Sequence, residues 1–373
     1  MRLDPDSLLA GPRGRRFCLE LVKQAEPITE AGLRFGHLLF AASYRAAKAS
    51  GAGTSIVLFG PGADEPLPDP TPAELGAALD EVELPHLDDD TLMAALEATV
   101  DAAAYWQEPD GDDLLLVEPA VTASLRRIAE HVVSTPATAW WGDGLAARQH
   151  LVAFDTPWVE SREPPSWSII GTRAALQQWR DGVVADEIRS RPRRGRRSGH
   201  PARAMSGEWW STPNRVGPVS THAGPDGVPL GLRLVEDGFG EDGARVVPLV
   251  VPPDARVIEV AGPDDWARLC REHPLEVSGV HRGDWYRTTG RDGDWVSPDW
   301  ASVAEVVDAV HVSVAGYLLT AGRAIAVDDR TASVMAGWSP DQTYWLTEMP
   351  GSDAAPTAWA KDDDTLRWTP SPA

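Results

Sequence analysis

A short arginine-rich segment constrains the fold of this 373-residue chain more than any other feature. Residues 191–199 read Arg-Pro-Arg-Arg-Gly-Arg-Arg-Ser-Gly and include no apolar side chain. Because proline, glycine and clustered charge support neither a helical nor a strand period, no packed element is expected there. We therefore predict a linker or exposed loop over 189–205 that separates two parts of the chain.

Before this linker, the apolar residues recur at the three- and four-residue steps of amphipathic helices. This period predicts a helix over 28–50, and Thr71 and Glu74 form the capping box that opens another helix. Short runs such as 54–59 have the apolar, β-branched character of a strand. We therefore predict an acidic, helix-rich domain over 1–188.

Beyond the linker, short β-rich runs alternate with turns, and two short helices begin at Pro263 and Pro298. Strands with single inserted helices are typical of an α+β domain and not of repeated βαβ units. The predicted fold class is therefore α+β, with a helix-rich N-terminal domain followed by a β-rich α+β C-terminal domain. The second domain is expected over 206–350, and 351–373 is expected to form a loose tail.

The second domain carries three further local predictions. The Asp-Gly pair within 283–295 predicts the turn of a β-hairpin, because both residues tolerate positive φ. The apolar runs 310–319 and 341–348 predict strands, the second of them the final strand. In the tail, Trp359 and Trp368 are the side chains that could tie the chain to the domain.

The formal net charge of −22 is distributed unevenly along the chain. Between Lys48 and Arg126 there are 17 acids and no base, and we name the stretch that holds them, 64–118, the acidic segment. The stretch 189–203 carries seven arginines and no acid. Strong overall acidity disfavours a nucleic-acid partner, because phosphate is bound by positive charge.

The basic stretch allows three interpretations. We interpret it first as a charged linker. The alternatives are an intramolecular clamp on the acidic segment, which salt would weaken, and an arm that binds nucleic acid. We name its central residues the arginine arm: Arg191, Arg193, Arg194, Arg196 and Arg197.

Compartment and cofactor predictions follow from features that the sequence lacks. The N-terminus has acids and a proline where a signal peptide has a basic start and an apolar run, and no stretch approaches the apolar length of a membrane span. Cys18 and Cys270 form neither a disulfide framework nor a zinc motif. We therefore expect a soluble cytoplasmic protein without a membrane partner, a metal site or a bound cofactor.

Tryptophan is unusually frequent, with 16 residues against 6 Phe and 5 Tyr. Tryptophan and arginine together are typical anchors at interfaces and in ligand clefts. We therefore predict a non-catalytic binding or interaction protein whose C-terminal domain presents such residues to a protein partner or a small-molecule ligand. We name this set the Trp/Arg surface: Trp209, Trp210, Trp285, Arg287, His311, Arg323 and Tyr344.

An enzymatic alternative depends on three residues of the second domain. Arg282 (or His281), Ser313 and Glu348 follow one another at predicted strands. Their order resembles that of NAD-using ADP-ribosyltransferases, in which an arginine or histidine precedes a Ser or Thr on a strand and a late catalytic glutamate. The resemblance implies NAD as the cofactor and a transferase or hydrolase activity at these three residues.

Overall fold

A computed structural model describes residues 3–24, 29–51, 66–155, 172–190, 200–203, 206–213, 216–348, 352 and 354–371. The predicted strand at 54–59 and the whole arginine arm lie outside these residues. The linker, clamp and nucleic-acid interpretations of the arginine arm therefore stay predictions.

The part of the chain before the arginine arm is mainly helical, as predicted. Its elements are α1 (Pro5–Ala10), α2 (Pro12–Lys23), α3 (Glu30–Ala49), α4 (Pro72–Asp80), α5 (Asp89–Asp101), α6 (Gly111–Leu115), α7 (Pro119–Ser134), β1 (Arg148–Phe154) and α8 (Thr172–Ser190).

The part after the arginine arm alternates short strands with single helices. Its elements are β2 (Val219–Thr221), β3 (Gly243–Val250), β4 (Val257–Val260), α9 (Pro263–Glu272), β5 (Pro274–Glu276), α10 (Arg282–Thr289), β6 (Asp294–Pro298), α11 (Trp300–Val306), β7 (Ala309–Val312), α12 (Val314–Thr320), β8 (Ile325–Ala326), β9 (Thr331–Ser333), β10 (Gln342–Trp345), β11 (Thr357–Lys361) and β12 (Trp368–Pro370).

The first helices start where the local chemistry of the sequence predicts. The helix expected over 28–50 is α3, which begins after the N-cap Thr29. At α4 the Thr71 hydroxyl accepts the Glu74 backbone N–H at 3.2 Å, and the Glu74 carboxylate accepts the Thr71 N–H at 2.8 Å. Such caps satisfy backbone donors that a helix start leaves unpaired, and each contributes about 1 kcal/mol. Both helix predictions are confirmed.

The strands form two mixed sheets. The larger has the order β12-β11-β3-β1-β2-β10-β7-β4 and is antiparallel except for the β4–β7 pair; the smaller has the order β5-β6-β9-β8. β1 belongs to the helix-rich part yet lies inside the larger sheet, where it pairs with β3 from Arg148–Val250 to Phe154–Ala244. Helices concentrated in the first part, with sheets mainly in the second, confirm the predicted α+β class.

The predicted hairpin over 283–295 is wrong. Most of this stretch forms α10, which ends at Gly290 with a φ of +72°. The helix buries Trp285 completely, and the Asp-Gly pair lies in the loop that leads to β6. Burial of a large side chain on one helix face decides the structure here, and the turn signal acts only after the helix has ended.

The predicted strand over 310–319 is only partly right. Strand β7 stops at Val312, because the Ser313 hydroxyl accepts the Gly316 N–H at 3.0 Å and caps α12. Alternation of apolar residues does not separate a strand from a buried helix in so short a run. In 341–348 the strand β10 is present, but it is not the last strand of the chain.

The residues expected to form a loose tail include two strands. β11 pairs with β3 from Thr357–Val246 to Ala360–Gly243, and β12 pairs with β11. Trp368 is buried against Phe154, with ring centroids 6.0 Å apart. The prediction of looseness is therefore wrong for 357–370, because backbone pairing and this tryptophan hold the segment to the edge of the larger sheet.

One large cluster of buried apolar side chains includes residues from both parts of the chain. It contains Phe17 and Leu125 from the helix-rich part and Trp266 and Tyr317 from the strand-rich part. The boundaries at 188 and 205 stay a prediction. None of the helices in the described part of the chain has both the length and the apolar character needed to cross a membrane.

Candidate ligand-binding site

A cavity of about 410 Å³ lies where the helix-rich part meets α10 and the loop after α12. α2, α6 and α10 supply side chains to its wall, as do the segments that follow α5 and α12. The wall residues on which the argument depends are Arg13, Arg15, Tyr105, Asp113, Thr288 and Arg323.

Arg13 is a buried wall residue, only 2% exposed. Its Nη1 donates to the Thr99 carbonyl at 3.2 Å, and its Nη2 pairs with Asp113. Asp113 is shared, because Arg16 Nη1 also lies 3.5 Å from it. The Nε–H of Arg13 is buried and has no hydrogen-bond partner among the described residues. Arg13 is therefore paired in charge with Asp113, and one of its N–H groups has no partner among the described residues.

Arg15 lies on the same helix and is less well partnered. Its Nη1 donates to the Leu9 carbonyl at 2.8 Å and to the Ala10 carbonyl at 3.2 Å, whereas its Nε–H is buried without a partner in the described ranges. Burial lowers the pKa of Arg15; nearby Asp113 raises it, while the charges of Arg323 and Arg13 lower it further. The carboxylates Asp110 and Asp113 pair with Arg16 and Arg13, so Arg15 has no ion pair of its own among the described residues.

A buried acid, Glu236, affects the pKa of the wall residue Tyr105. The Tyr317 hydroxyl donates to Oε1 of Glu236 at 3.1 Å, and the Gly337 N–H donates to Oε2. Burial raises the pKa of Glu236 to about 8, although these two hydrogen bonds and Arg13 oppose the shift. The Tyr105 hydroxyl makes no hydrogen bond of normal geometry with a described residue, yet Glu236 and Tyr317 are close enough to act on its pKa. At neutral pH this buried acid is therefore largely uncharged.

The residues of the Trp/Arg surface are mostly buried. Trp285 and His311 are fully buried, Trp209 and Tyr344 are nearly so, and Trp210 is half-buried and stacks on Trp209. Burial is the usual outcome for tryptophan, whose large apolar area gains most from leaving water. These residues therefore do not form an exposed surface. The prediction that the C-terminal domain presents them to a partner is corrected in this respect.

Two arginines of that set have different environments. Arg287 is buried in an ion pair with Asp284 on α10, and its Nη1 donates to the Ala202 carbonyl at 3.2 Å. Arg323 is half-buried and lines the cavity. Within the described chain, Arg323 makes no ion pair with a carboxylate. Of the seven predicted contact residues, Arg323 is the one that the cavity includes.

The three residues of the enzymatic alternative do not converge. Arg282 pairs with Asp292 at 3.1 Å, and Ser313 caps α12. Antiparallel pairing places Gln342 opposite Val312 and Trp345 opposite Ala309. Ser313 and Glu348 therefore lie beyond opposite ends of this ladder, which is about 10 Å long at roughly 3.4 Å per residue. The β7–β10 register therefore does not bring Ser313 and Glu348 together as the ADP-ribosyltransferase resemblance implies, and the enzymatic alternative stays a prediction.

A chain of polar side chains around the buried His311, which we name the His311 chain, joins β4 and β7 to the residue before β10. His311 Nδ1 lies 2.5 Å from Oε2 of Glu259, and its Nε2 lies 3.4 Å from Oδ1 of Asp341. Oδ2 of Asp341 lies 2.6 Å from Nδ1 of His222. Burial lowers the pKa of His311, but the hydrogen bonds and charges of Asp341 and Glu259 outweigh it and raise the value to about 9. The chain therefore holds a charged imidazole between carboxylates.

No known family model matches this sequence, and no curated protein or solved structure shows significant similarity to it. Within the described ranges, no three His, Cys, Asp or Glu side chains are close enough together to hold a metal ion. Cys18 and Cys270 are buried, and burial raises the pKa of each thiol to about 12. Neither is therefore a reactive thiolate at neutral pH.

Sequence reasoning missed most of the cavity wall. Arg13, Arg15 and Arg16 form a basic group in α2, and such a group is unusual in a chain with a net charge of −22. This contrast between a basic group and an acidic chain is the sequence feature that could have pointed to α2 as part of a binding site. Nothing in the sequence pairs this helix with Tyr105 or Arg323, which are about 90 and 310 residues away along the chain.

Proposed function

We propose that this protein binds a small anionic molecule in the cavity beside α2. The observation that carries the proposal is that three arginines line one cavity and that two of them, Arg15 and Arg323, make no ion pair with a carboxylate among the described residues. Carboxylate or phosphoryl oxygens would supply the missing countercharge.

The distribution of charge in the wall supports an anion beside two of its arginines. The wall has three arginines and four carboxylates, but Asp113 pairs with Arg13 and Asp110 with Arg16, whereas Arg15 and Arg323 make no ion pair among the described residues. Arginine presents a planar fork of donors that matches carboxylate and phosphate oxygens. A volume of about 410 Å³ is in the range of small-molecule pockets.

The same wall disfavours a large polyanion. Asp101 and Glu108 also line the cavity, so an extended chain of phosphates would meet repulsion beyond the arginines. The favoured ligand class is therefore a small carboxylate or a single phosphate or sulfate ester. The sequence predicted a binding protein with an exposed tryptophan surface. The proposal keeps the binding role, names an anionic ligand and places the site in the cavity.

Thermal unfolding with added succinate or sulfate tests the proposal. Because a ligand that binds only the folded state stabilises it by mass action, we expect a saturable rise in Tm at constant ionic strength. Chloride at the same ionic strength is the control for screening. The same small change with all three salts would contradict a specific anion site.

A charge-neutral double variant locates the site. We expect Arg15→Gln with Arg323→Gln to weaken binding at least tenfold, since each loses a charge-assisted hydrogen bond that is worth about 1.5–3 kcal/mol. Arg330→Gln is the matched control, because this arginine is exposed and does not line the cavity. Isothermal titration calorimetry measures the Kd of succinate for the unmodified protein, the double variant and the control. Equal affinities of the double variant and the control would overturn the assignment.

A further inference from the structure

Two carboxylates of the cavity wall, Asp101 and Glu108, have no partner in contact. Neither makes an ion pair or a side-chain hydrogen bond with any residue that the structure describes. Burial raises the pKa of Asp101 and the charge of Lys361 opposes this shift, but the two side chains do not lie within ion-pair distance. Both acids are exposed, so their charge is open to a ligand in the cavity.

The ends of two helices add negative charge at the same wall. The last residue of α5 is Asp101, the last residue of α10 is Thr289, and both line the cavity. The final carbonyl groups of a helix have no partner within the helix, and together they carry a partial negative charge. This charge has the same sign as that of the two acids. The part of the wall that holds them therefore favours a cationic group.

Arg15 and Arg323 supply the opposite charge in the same wall. Both line the cavity, and neither makes an ion pair within the described part of the chain. Burial lowers the pKa of Arg15, and Asp113 is the one described carboxylate whose charge raises it. The two arginines and the acids Asp101 and Glu108 are therefore not counterions of one another. One ligand with two opposite charges could neutralise both sets.

We propose that the ligand of this cavity is a small zwitterion, with its anionic group at Arg15 and Arg323 and an ammonium group at Asp101 and Glu108. The inference rests on the proposed function and narrows its ligand class to anions that also carry an ammonium group, of which small amino acids are the simplest. A simple anion would leave two acids facing it, and like charges repel. An ammonium group instead donates charge-assisted hydrogen bonds to them.

Matched pairs of ligands measure the contribution of the ammonium group without any variant. Glycine, β-alanine and γ-aminobutyrate differ from propionate, butyrate and valerate by an ammonium group in place of the terminal methyl group. The series covers three separations between the two charges. We expect at least one amino acid to bind the unmodified protein about tenfold more tightly than its methyl partner, because methyl makes no hydrogen bond. Isothermal titration calorimetry near neutral pH measures each Kd.

A double variant, Asp101→Asn with Glu108→Gln, locates the ammonium group. Both charges are lost with little change of shape, so the preference for the amino acid should fall below about threefold, while the methyl partner should bind no more weakly. Asp80→Asn with Glu83→Gln is the matched control. It removes two exposed acids outside the cavity, and Asp80 is the last residue of α4 as Asp101 is of α5. The control should keep the full preference.

The outcomes separate this inference from the proposed function. If succinate or sulfate binds but no amino acid binds more tightly than its methyl partner, the ammonium subsite is wrong and the anion site stands. A preference that survives in Asp101→Asn with Glu108→Gln would overturn the assignment of these two acids. If no anion and no amino acid binds, the proposed function fails and the inference fails with it. Arg15→Gln with Arg323→Gln should weaken both classes of ligand, because both place a carboxylate at the arginines.

Discussion

Gly322 shapes the cavity wall at the scale of a single residue. Its φ of +73° lies in the left-handed region, and a Cβ at this position would come within 2.4 Å of Cε1 of Tyr105. Gly290, at the end of α10, has nearly the same φ, +72°, but open space where its Cβ would lie. Comparing a substitution at Gly290 with the same substitution at Gly322 therefore separates the cost of the backbone conformation from the cost of displacing Tyr105.

Alanine at these two positions should give different losses of stability. We expect Gly290→Ala to lower the free energy of unfolding by about 1–2 kcal/mol through the left-handed backbone alone. Gly322→Ala should lower it by about 2–4 kcal/mol, because the Tyr105 ring must also move. Denaturant unfolding with equal m-values measures both losses. Equal losses would mean that Tyr105 moves at no cost and would contradict the close packing described for the wall.

The capping residues of the helices were readable from the sequence at this scale. Thr71 and Glu74 interact across three positions of one chain, so no distant contact is needed to predict them. Ser313 has the same chemistry at α12, but its sequence context suggested a strand and a catalytic role. The difference is that the capped helix at Ser313 is fully buried, and a short, mostly apolar run does not distinguish a buried helix from a strand.

At the scale of elements, the His311 chain links β4 and β7 to the turn before β10. Glu259 lies on β4, His311 on β7, and Asp341 immediately before β10, where its φ of +59° marks an unusual backbone conformation. A charged imidazole between two carboxylates ties these elements together through hydrogen bonds. The contribution of this link to the free energy of unfolding should depend on pH.

The raised pKa of His311 determines the sign of that dependence. The folded value of about 9 exceeds the ordinary value of 6.5, so the stabilisation is complete below about pH 6.5 and is lost as pH rises through about 9. We therefore expect the free energy of unfolding to fall over this range, and His311→Gln to reduce that slope. Thermal unfolding at several pH values measures it.

Two comparisons make the pH experiment specific to His311. Glu236 also loses stabilisation as pH rises from about 4.5 to about 8, but this contribution is present in both proteins and cancels in the difference. His86→Gln, at a side chain that is 82% exposed, is the matched control and should keep the full slope. A His311→Gln protein with an unchanged slope would show that His311 is not held in its charged form.

At the scale of the whole molecule, the acidic segment is paired in part with bases of α2. Arg16 Nε lies 2.6 Å from Glu20, and its Nη1 lies 2.7 Å from Asp110 and 3.5 Å from Asp113. Lys23 lies 2.6 Å from a further aspartate of α6, Asp112. These contacts join α2 to α6, which are about 90 residues apart along the chain.

Removing the charge of Arg16 should therefore be costly. Arg16 is 7% exposed, and Arg16→Gln would leave four clustered carboxylates with only Arg13 and Lys23 as partners, so we expect a loss of about 3–5 kcal/mol in the free energy of unfolding. Arg126→Gln, at an exposed pair with Asp6, should change stability little. Denaturant unfolding measures both variants. Equal effects would contradict the role of Arg16 in holding the acidic segment.

The candidate site could be predicted only in part. Arg323 was singled out from the sequence and lines the cavity, whereas Trp285 and His311 were singled out and are buried away from solvent. Composition identifies residue types that bind ligands well, but the same types are also favoured in cores. The position of each side chain relative to distant elements decides between the two roles.

The sequence by itself determined the α+β class, the concentration of helices in the first part, the helix α3 and the capped start of α4. These properties depend on contacts between residues three or four positions apart, which a linear pattern records directly. Tertiary structure alone decided that β1 enters the larger sheet, that the tail pairs with β3, and that Arg13, Tyr105 and Arg323 surround one cavity. Those outcomes depend on burial and backbone pairing between segments far apart along the chain, and no local pattern specifies such partners.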